Sequence, residues 1–144
     1  MHPRRKARVG VLCGLYAAAI VNEDPVKILN DIYARESYDK TSKKFMHSLF
    51  MEAISQVDIC DELINRHLKN WEFSRIALLD KQIMRMAITE MLFINDVPPK
   101  VAMSEAIEIA KEYSTAESSS FVNGILDAIY KESKLEKTTQ AKAS

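Results

Sequence analysis

Apolar residues recur at helical spacing along most of this chain, and polar clusters separate the runs without any strand-like alternation. The first run predicts a helix over 3–20, with Val9, Leu12, Cys13, Tyr16 and Ile20 on one side. Pro3 suits its first turn, where a missing amide hydrogen costs nothing. Asp24-Pro25 reads as an N-cap followed by proline at the first helical position, opening a helix that buries Ile28, Leu29 and Ile32 and ends near Arg35. Residues 36–42 are polar and read as a loop. Met46, Leu49, Phe50, Ala53, Val57, Cys60 and Ile64 then trace one stripe, carried by one long helix or by two, with Asp58 a candidate cap for a restart.

Asn70 to Arg75 reads as a joint between two halves, and Trp71 and Phe73 imply that the joint is packed. A helix is predicted over 76–94, with Leu79, Ile83, Met86, Ala87 and Met91 inward. Asp96-Val97-Pro98-Pro99 stops it, because proline disfavours a helical conformation in the residue before it. Pro99 opens the next helix, with Met103, Ala106, Ile107 and Ala110 inward and Glu105, Glu108 and Glu112 in water. Ser114-x-x-Glu117 has the form of a capping box. The last helix carries Val122, Ile125, Leu126 and Ile129 on its stripe and runs to about Ser133. The pattern is therefore all-α: one domain of about seven helices over 1–134, in halves of about 1–70 and 71–134, followed by a polar tail at 135–144 expected to be disordered.

With 144 residues, 47% of them hydrophobic and 28% charged, the chain is long enough to bury a real core and is not intrinsically disordered. Charge changes the picture at one place. The chain is formally neutral, yet Arg4, Arg5, Lys6 and Arg8 crowd its start with no acid among them. The N-terminus of a helix carries roughly half a positive charge, so a cationic first turn is self-repulsive unless an anion sits there. Arg donates to phosphate in pairs through its planar fork, and Lys acts as a point charge. RNA or DNA fits this arm; the alternative is a frayed, solvated terminus. Because the positive charge is local, a short or specific contact is expected, and not a coat along a nucleic acid.

Other chemistry is thin. Cys13 and Cys60 sit among apolar residues and read as small core residues, with no disulfide framework. No run approaches the roughly 20 apolar residues of a membrane span, and no convincing signal-peptide cleavage site follows the first segment. A cytoplasmic protein is expected. His2, His47 and His67 lack zinc-site spacing, and neither a glycine-rich phosphate loop nor a nucleophile turn occurs. Asp61-Glu62 and Glu105/Glu108 fall on solvent faces. No catalytic residue, metal or cofactor is expected, so the chain does not read as an enzyme. Glu90 lies near the apolar stripe of its helix, and because an unpaired buried carboxylate is costly, a basic partner such as Arg75 or Arg85 is expected. Phe121 points roughly 90° from the inward direction of the last helix. It either covers the core edge or offers a stacking surface to an unpaired base, with Asn123 nearby as donor and acceptor.

Several segments together resemble the NusB transcription antitermination factors. They are Asp80-Lys81-Gln82-Ile83-Met84-Arg85-Met86-Ala87 through Glu90-Met91-Leu92, Asp96-Val97-Pro98-Pro99-Lys100-Val101-Ala102, Glu105-Ala106-Ile107-Glu108-Ile109-Ala110-Lys111, and Phe121-Val122-Asn123-Gly124-Ile125-Leu126-Asp127. Order and spacing match as well, and Arg4-Arg5-Lys6-Ala7-Arg8 followed by Leu15-Tyr16 is similar to that family's arginine-rich start. The resemblance implies two packed helical subdomains and a non-enzymatic role in holding RNA polymerase in a termination-resistant state. It also implies pairing with NusE, a small-subunit ribosomal protein, to bind boxA, a short single-stranded RNA element of ribosomal RNA transcripts. Carried over by motif, Arg4, Arg5, Lys6 and Arg8 contact RNA with Phe121 and Glu117, while Tyr16 and Asp80 match the NusE surface. Ser104 departs from the family's usual Asn, and Lys6 from a common Arg. A different class of function stays open on the residues alone: a helical protein-interaction module or homodimer that binds no RNA.

Overall fold

Side-chain caps and prolines start most of the helices. The computed structural model describes residues 2–143, with side chains through Lys134. The first helix, α1 (Pro3–Ile20), opens with proline, and His2 Nδ1 accepts the Arg4 amide at 3.2 Å. In α2 (Pro25–Arg35) Asp24 accepts the Val26 amide at 2.9 Å. The polar loop is shorter than expected, because Asp39 accepts the Ser42 amide at 2.7 Å and starts α3 (Lys40–Ser55) early. The open question of one helix or two is settled by a break at Gln56: α4 (Val57–Arg66) begins there without a side-chain cap, and Asp58 lies in its first turn. A single 3-10 turn, Phe73–Arg75, leads to α5 (Leu78–Phe93), and Pro99 opens α6 (Pro99–Tyr113). The last helix, α7 (Ala116–Ala143), starts one residue later than the Ser114 box implies. Thr115 Oγ1 accepts the Ser118 amide at 3.0 Å, and the Ser114 hydroxyl turns to Asp80 instead. The backbone of α7 continues to Ala143, ten residues past the end expected near Ser133, so the segment read as a disordered tail is helical as far as it is described; its side chains lie outside the described residues.

Among the described residues there is no strand, and the fold is all-α. Helices α1, α2 and α3 pack on one another, α5, α6 and α7 do the same, and α5 also touches α1, α3 and α4. That position explains the composition of α5, which buries Ile83, Met84, Met86, Ala87, Ile88 and Met91 around most of its circumference. Met46, Leu49, Phe50, Ile64, Ile109, Leu126 and Ile129 complete one continuous core.

The buried side of α1 is rotated from the expected one. Ala7, Val11, Leu12, Gly14 and Leu15 face inward, whereas Cys13, Tyr16 and Ile20 are exposed; only Cys60 is a core cysteine. Close approach is the cause. A Cβ at Gly10 would lie 2.7 Å from Met46 Cε, and one at Gly14 would lie 2.8 Å from Phe50 Cε1. The smallest residues therefore mark the tightest contact, and the larger apolar ones are left on the outside.

Candidate nucleic-acid interface

The first turn of α1 holds no acidic residue. The Arg4 guanidinium lies 4.0 Å from the centroid of the Phe45 ring, an attraction of cation to ring face that holds the side chain without neutralising it. Among the described residues, no carboxylate pairs with Arg4. Arg5 forks onto Glu105, its Nε donating to Oε2 at 2.7 Å and Nη2 to Oε1 at 3.2 Å. Those bonds, above all, hold the Glu105 carboxyl below the usual range. Lys6 Nζ donates to the Ser37 carbonyl at 2.5 Å and lies 3.1 Å from Glu36 Oε2. All three cations are half-buried with their heads near the surface. Pairs of this kind contribute little to stability, so their cations are free to exchange a carboxylate for a phosphate.

Arg8 departs from the expected RNA contact. It is 3% exposed, and its partner Glu90 is 1% exposed. Arg8 Nε donates to Oε1 at 2.9 Å and to Oε2 at 3.1 Å, and Nη2 donates to Oε2 at 2.5 Å. Helical spacing places Arg8 on the inward face with Ala7, Val11, Leu12 and Leu15, so it is a strut between α1 and α5 and not part of the surface arm. Glu90 accordingly finds its cation on α1. Arg85 is engaged with Asp61 through two bonds of 2.7 Å, and Arg75 is exposed, 3.8 Å from Glu72.

A second region surrounds Phe121. Its half-buried ring lies 6.2 Å, centroid to centroid, from Trp71, with the planes inclined by 49°. A hollow of about 460 Å³ is lined by these rings with Arg75, Ile76, Asp80 and Glu117. Another, of about 430 Å³, shares both rings and adds His67, Lys69 and Gly124. Asn123 is exposed but lines neither. No residue of the basic arm lines either hollow, so the structure does not join the arm and Phe121 in one cavity.

Of the two residues expected to face a protein partner, Tyr16 is exposed and Asp80 is not. Asp80 is buried, with the Ser114 hydroxyl donating to Oδ1 at 2.9 Å and the Ser118 hydroxyl to Oδ2 at 2.8 Å. It ties the start of α5 to the α6–α7 turn, since a buried carboxylate must have its acceptors filled.

Trp71, Arg75 and Lys69 also line these hollows, a placement that the sequence reading did not anticipate. Only Phe73 packs the joint as expected, beneath Lys81 Nζ at 4.5 Å from its centroid. Trp71 stands out from it, following Asn70 at φ 62°. The signal was the single tryptophan of the chain, placed in a polar stretch. The joint is held to α7 by His67 Nε2, 2.5 Å from Glu132 Oε2, and by Arg66 on the same carboxylate. The bond to His67 is the main reason that the Glu132 carboxyl lies below the usual range.

Among the described residues no group of three or more His, Cys, Asp or Glu is gathered to hold a metal ion, and no helix is long and apolar enough to cross a membrane. Comparison with known proteins gives a consistent answer. The NusB family model matches residues 3–131. The transcription antitermination protein NusB of Chloroherpeton thalassium is 45% identical over 132 residues, which are 91% of this chain and 63% of that protein. The structure of T. maritima NusB superposes with a TM-score of 0.83 at 38% identity, over 92% of this chain and 93% of that one. A chain in a crystal structure of antitermination factors NusB and NusE in complex with dsRNA has a TM-score of 0.83 over 92% of this chain and 98% of its own; at 23% identity that likeness is one of fold.

Proposed function

The chain belongs to the NusB family, whose members are transcription antitermination factors and not enzymes, and from that premise we propose that it binds boxA-type single-stranded RNA together with the ribosomal protein NusE. In this reading it is a cytoplasmic adaptor that helps RNA polymerase pass terminators, notably in ribosomal RNA operons. One observation carries it: a helix N-terminus whose cationic first turn contains Arg4, a guanidinium with no carboxylate partner among the described residues. A polyanion relieves the repulsion between that turn and the helix dipole. Arg5 and Lys6 add phosphate contacts by releasing Glu105 and Glu36. Phe121 supplies a stacking face, and Glu117 and Asn123 offer hydrogen bonds to bases. Arg8 acts by fixing the helix that carries the arm. Tyr16, on the exposed side of α1 with Cys13 and Ile20, is assigned to NusE, and tethering two weak RNA sites raises the effective concentration of each.

The test is a titration of end-labelled boxA-type RNA by anisotropy across salt concentrations, with and without NusE. Replacing Arg4, Arg5 and Lys6 by Ala should weaken binding and reduce the slope of log affinity against log salt by about 2 if each contacts one phosphate, with the circular dichroism spectrum unchanged. Unchanged affinity and slope defeat the assignment. The outward Cys13, Tyr16 and Ile20 also favour a second reading, a protein-interaction face or homodimer without RNA. A dimer seen by sedimentation and indifferent to RNA would support that reading instead.

A further inference from the structure

We propose that the exposed face of α3, bearing Lys40, Lys43, Lys44 and His47, continues the basic arm and holds the backbone of RNA nucleotides that flank the boxA-type element, whatever their sequence. The inference rests on the RNA-binding reading above and extends it to nucleotides that reading does not use. Helical spacing sets the four positions within an arc of about 100° along about 10 Å of helix, and all of them are exposed. The other side of α3 carries Phe45, Met46, Leu49, Phe50 and Ala53 into the core, so the cations are left facing water.

Charge on this face is unanswered. On α2 Lys27 is met by Glu23 and Asp31, and on α6 and α7 Lys111 and Lys131 are met by Glu108 and Asp127. Among the described residues, no carboxylate pairs with Lys40, Lys43, Lys44 or His47. The acids of the element are occupied: Asp39 accepts the Ser42 amide at 2.7 Å, and Glu52 accepts from Gln56 Nε2 at 3.0 Å. Like charges four residues apart on a helix repel, as Lys40 and Lys44 do, and a polyanion removes that repulsion.

Position ties this face to the arm. The Arg4 guanidinium rests on the Phe45 ring of α3, and Lys6 Nζ lies 5.0 Å from the centroid of Tyr38, in the loop that leads into α3. Around the helix from Phe45 to Lys44 stand Thr41 and Ser48, whose exposed hydroxyls can donate to phosphate. No residue of α3 lines the hollows beside Phe121. A strand engaged there and at the arm therefore reaches α3 only with nucleotides beyond the element. Phe45 is buried and Tyr33 lies under Lys43 Nζ at 5.3 Å, so the face offers no free ring to a base and meets the phosphates, which carry no sequence information.

The experiment follows the anisotropy of two labelled RNAs across salt concentrations as the full chain is added: the bare boxA-type element, and the same element carrying a polyuridine flank. The parent binds the flanked RNA more tightly. Replacing Lys40, Lys43 and Lys44 together by Ala removes that advantage and lowers the slope of log affinity against log salt on the flanked RNA by about 2, at about 0.7 for each single-strand phosphate. The bare element is bound as before, and replacing the three lysines by Arg keeps the advantage. A flank that adds nothing to the parent, or an advantage that survives in the Ala variant, overturns the α3 track while leaving the RNA-binding reading intact. Equal weakening on both RNAs places these lysines on the element itself and overturns the assignment to flanking nucleotides. Loss of NusE binding without loss of either RNA makes the face a protein surface and also overturns it. No anisotropy change with any form overturns both readings. Circular dichroism of the variants confirms that exposed residues were changed without loss of fold.

Discussion

Removing one member of the Arg8–Glu90 pair should destabilise the fold without altering the surface arm. The guanidinium and carboxylate are linked by three N–H contacts of 2.5 to 3.1 Å and are almost wholly shielded from water, at 3% and 1% exposure. Two unit charges about 4 Å apart attract by about 4 kcal/mol at an effective dielectric of 20, and breaking a buried pair by truncating one partner typically costs about 3–5 kcal/mol. Arg8→Ala leaves Glu90 charged or forces it to take up a proton, and Glu90→Gln leaves Arg8 with only the more distant Glu105 carboxylate, 4.0 Å from Nη1. For a domain of about this size, each kcal/mol moves the thermal midpoint by about 2–4 °C, so either single variant should melt roughly 10 °C lower. Arg8→Met combined with Glu90→Met removes both charges, and swaps of that kind are often neutral or stabilising. The double variant should therefore recover most of the loss. The assay is thermal melting followed by circular dichroism, with the three variants closing a double-mutant cycle. If Arg8→Ala melts within about 2 °C of the parent yet binds RNA poorly, Arg8 is a surface contact and the buried strut is wrong.

Two further substitutions have outcomes set by geometry already described. Glu105 has a lowered folded pKa because of Arg5; a depressed carboxyl stabilises fully above its unfolded pKa and loses that contribution as pH falls through the folded one. The parent should thus lose more stability than Glu105→Gln below about pH 4, which melting curves across pH will test, and the same variant should bind RNA several-fold tighter at low salt because Arg5 is released. Gly14→Ala sets a Cβ 2.8 Å from Phe50 Cε1 and 3.0 Å from Ile32 Cδ1. Overpacking of about 1–3 kcal/mol outweighs a helix-propensity gain of about 1 kcal/mol, so urea denaturation should show a lower midpoint; an unchanged or higher one refutes the close approach.

The helix starts were legible because their determinants are local. Asp24-Pro25 and Pro99 carry their message in one or two residues, and the structure opens α2 and α6 there. The face of α1 was not legible, since hydrophobicity ranks Tyr16 and Ile20 above Gly10 and Gly14, and only three-dimensional proximity to Met46 and Phe50 reverses that order. Arg8 was misread for a related reason: the charge run suggested one surface, but 100° per residue turns its last member inward, and the acid that meets it lies 82 positions away. The place of Phe121 at the edge of the apolar stripe was legible, and its half-buried ring shares a hollow with Glu117. Trp71 was not, because its exposure depends on the backbone angle of Asn70, which no pattern of polarity encodes.

The two serine hydroxyls on Asp80 also decide how the longest helix comes undone. Helices unwind from their ends, where backbone groups lack partners, but the beginning of α7 is riveted to α5 through Ser118 and closed by Thr115. Unwinding therefore proceeds from the far terminus inward, and Phe121, three residues past the rivet, is among the last to lose its shape.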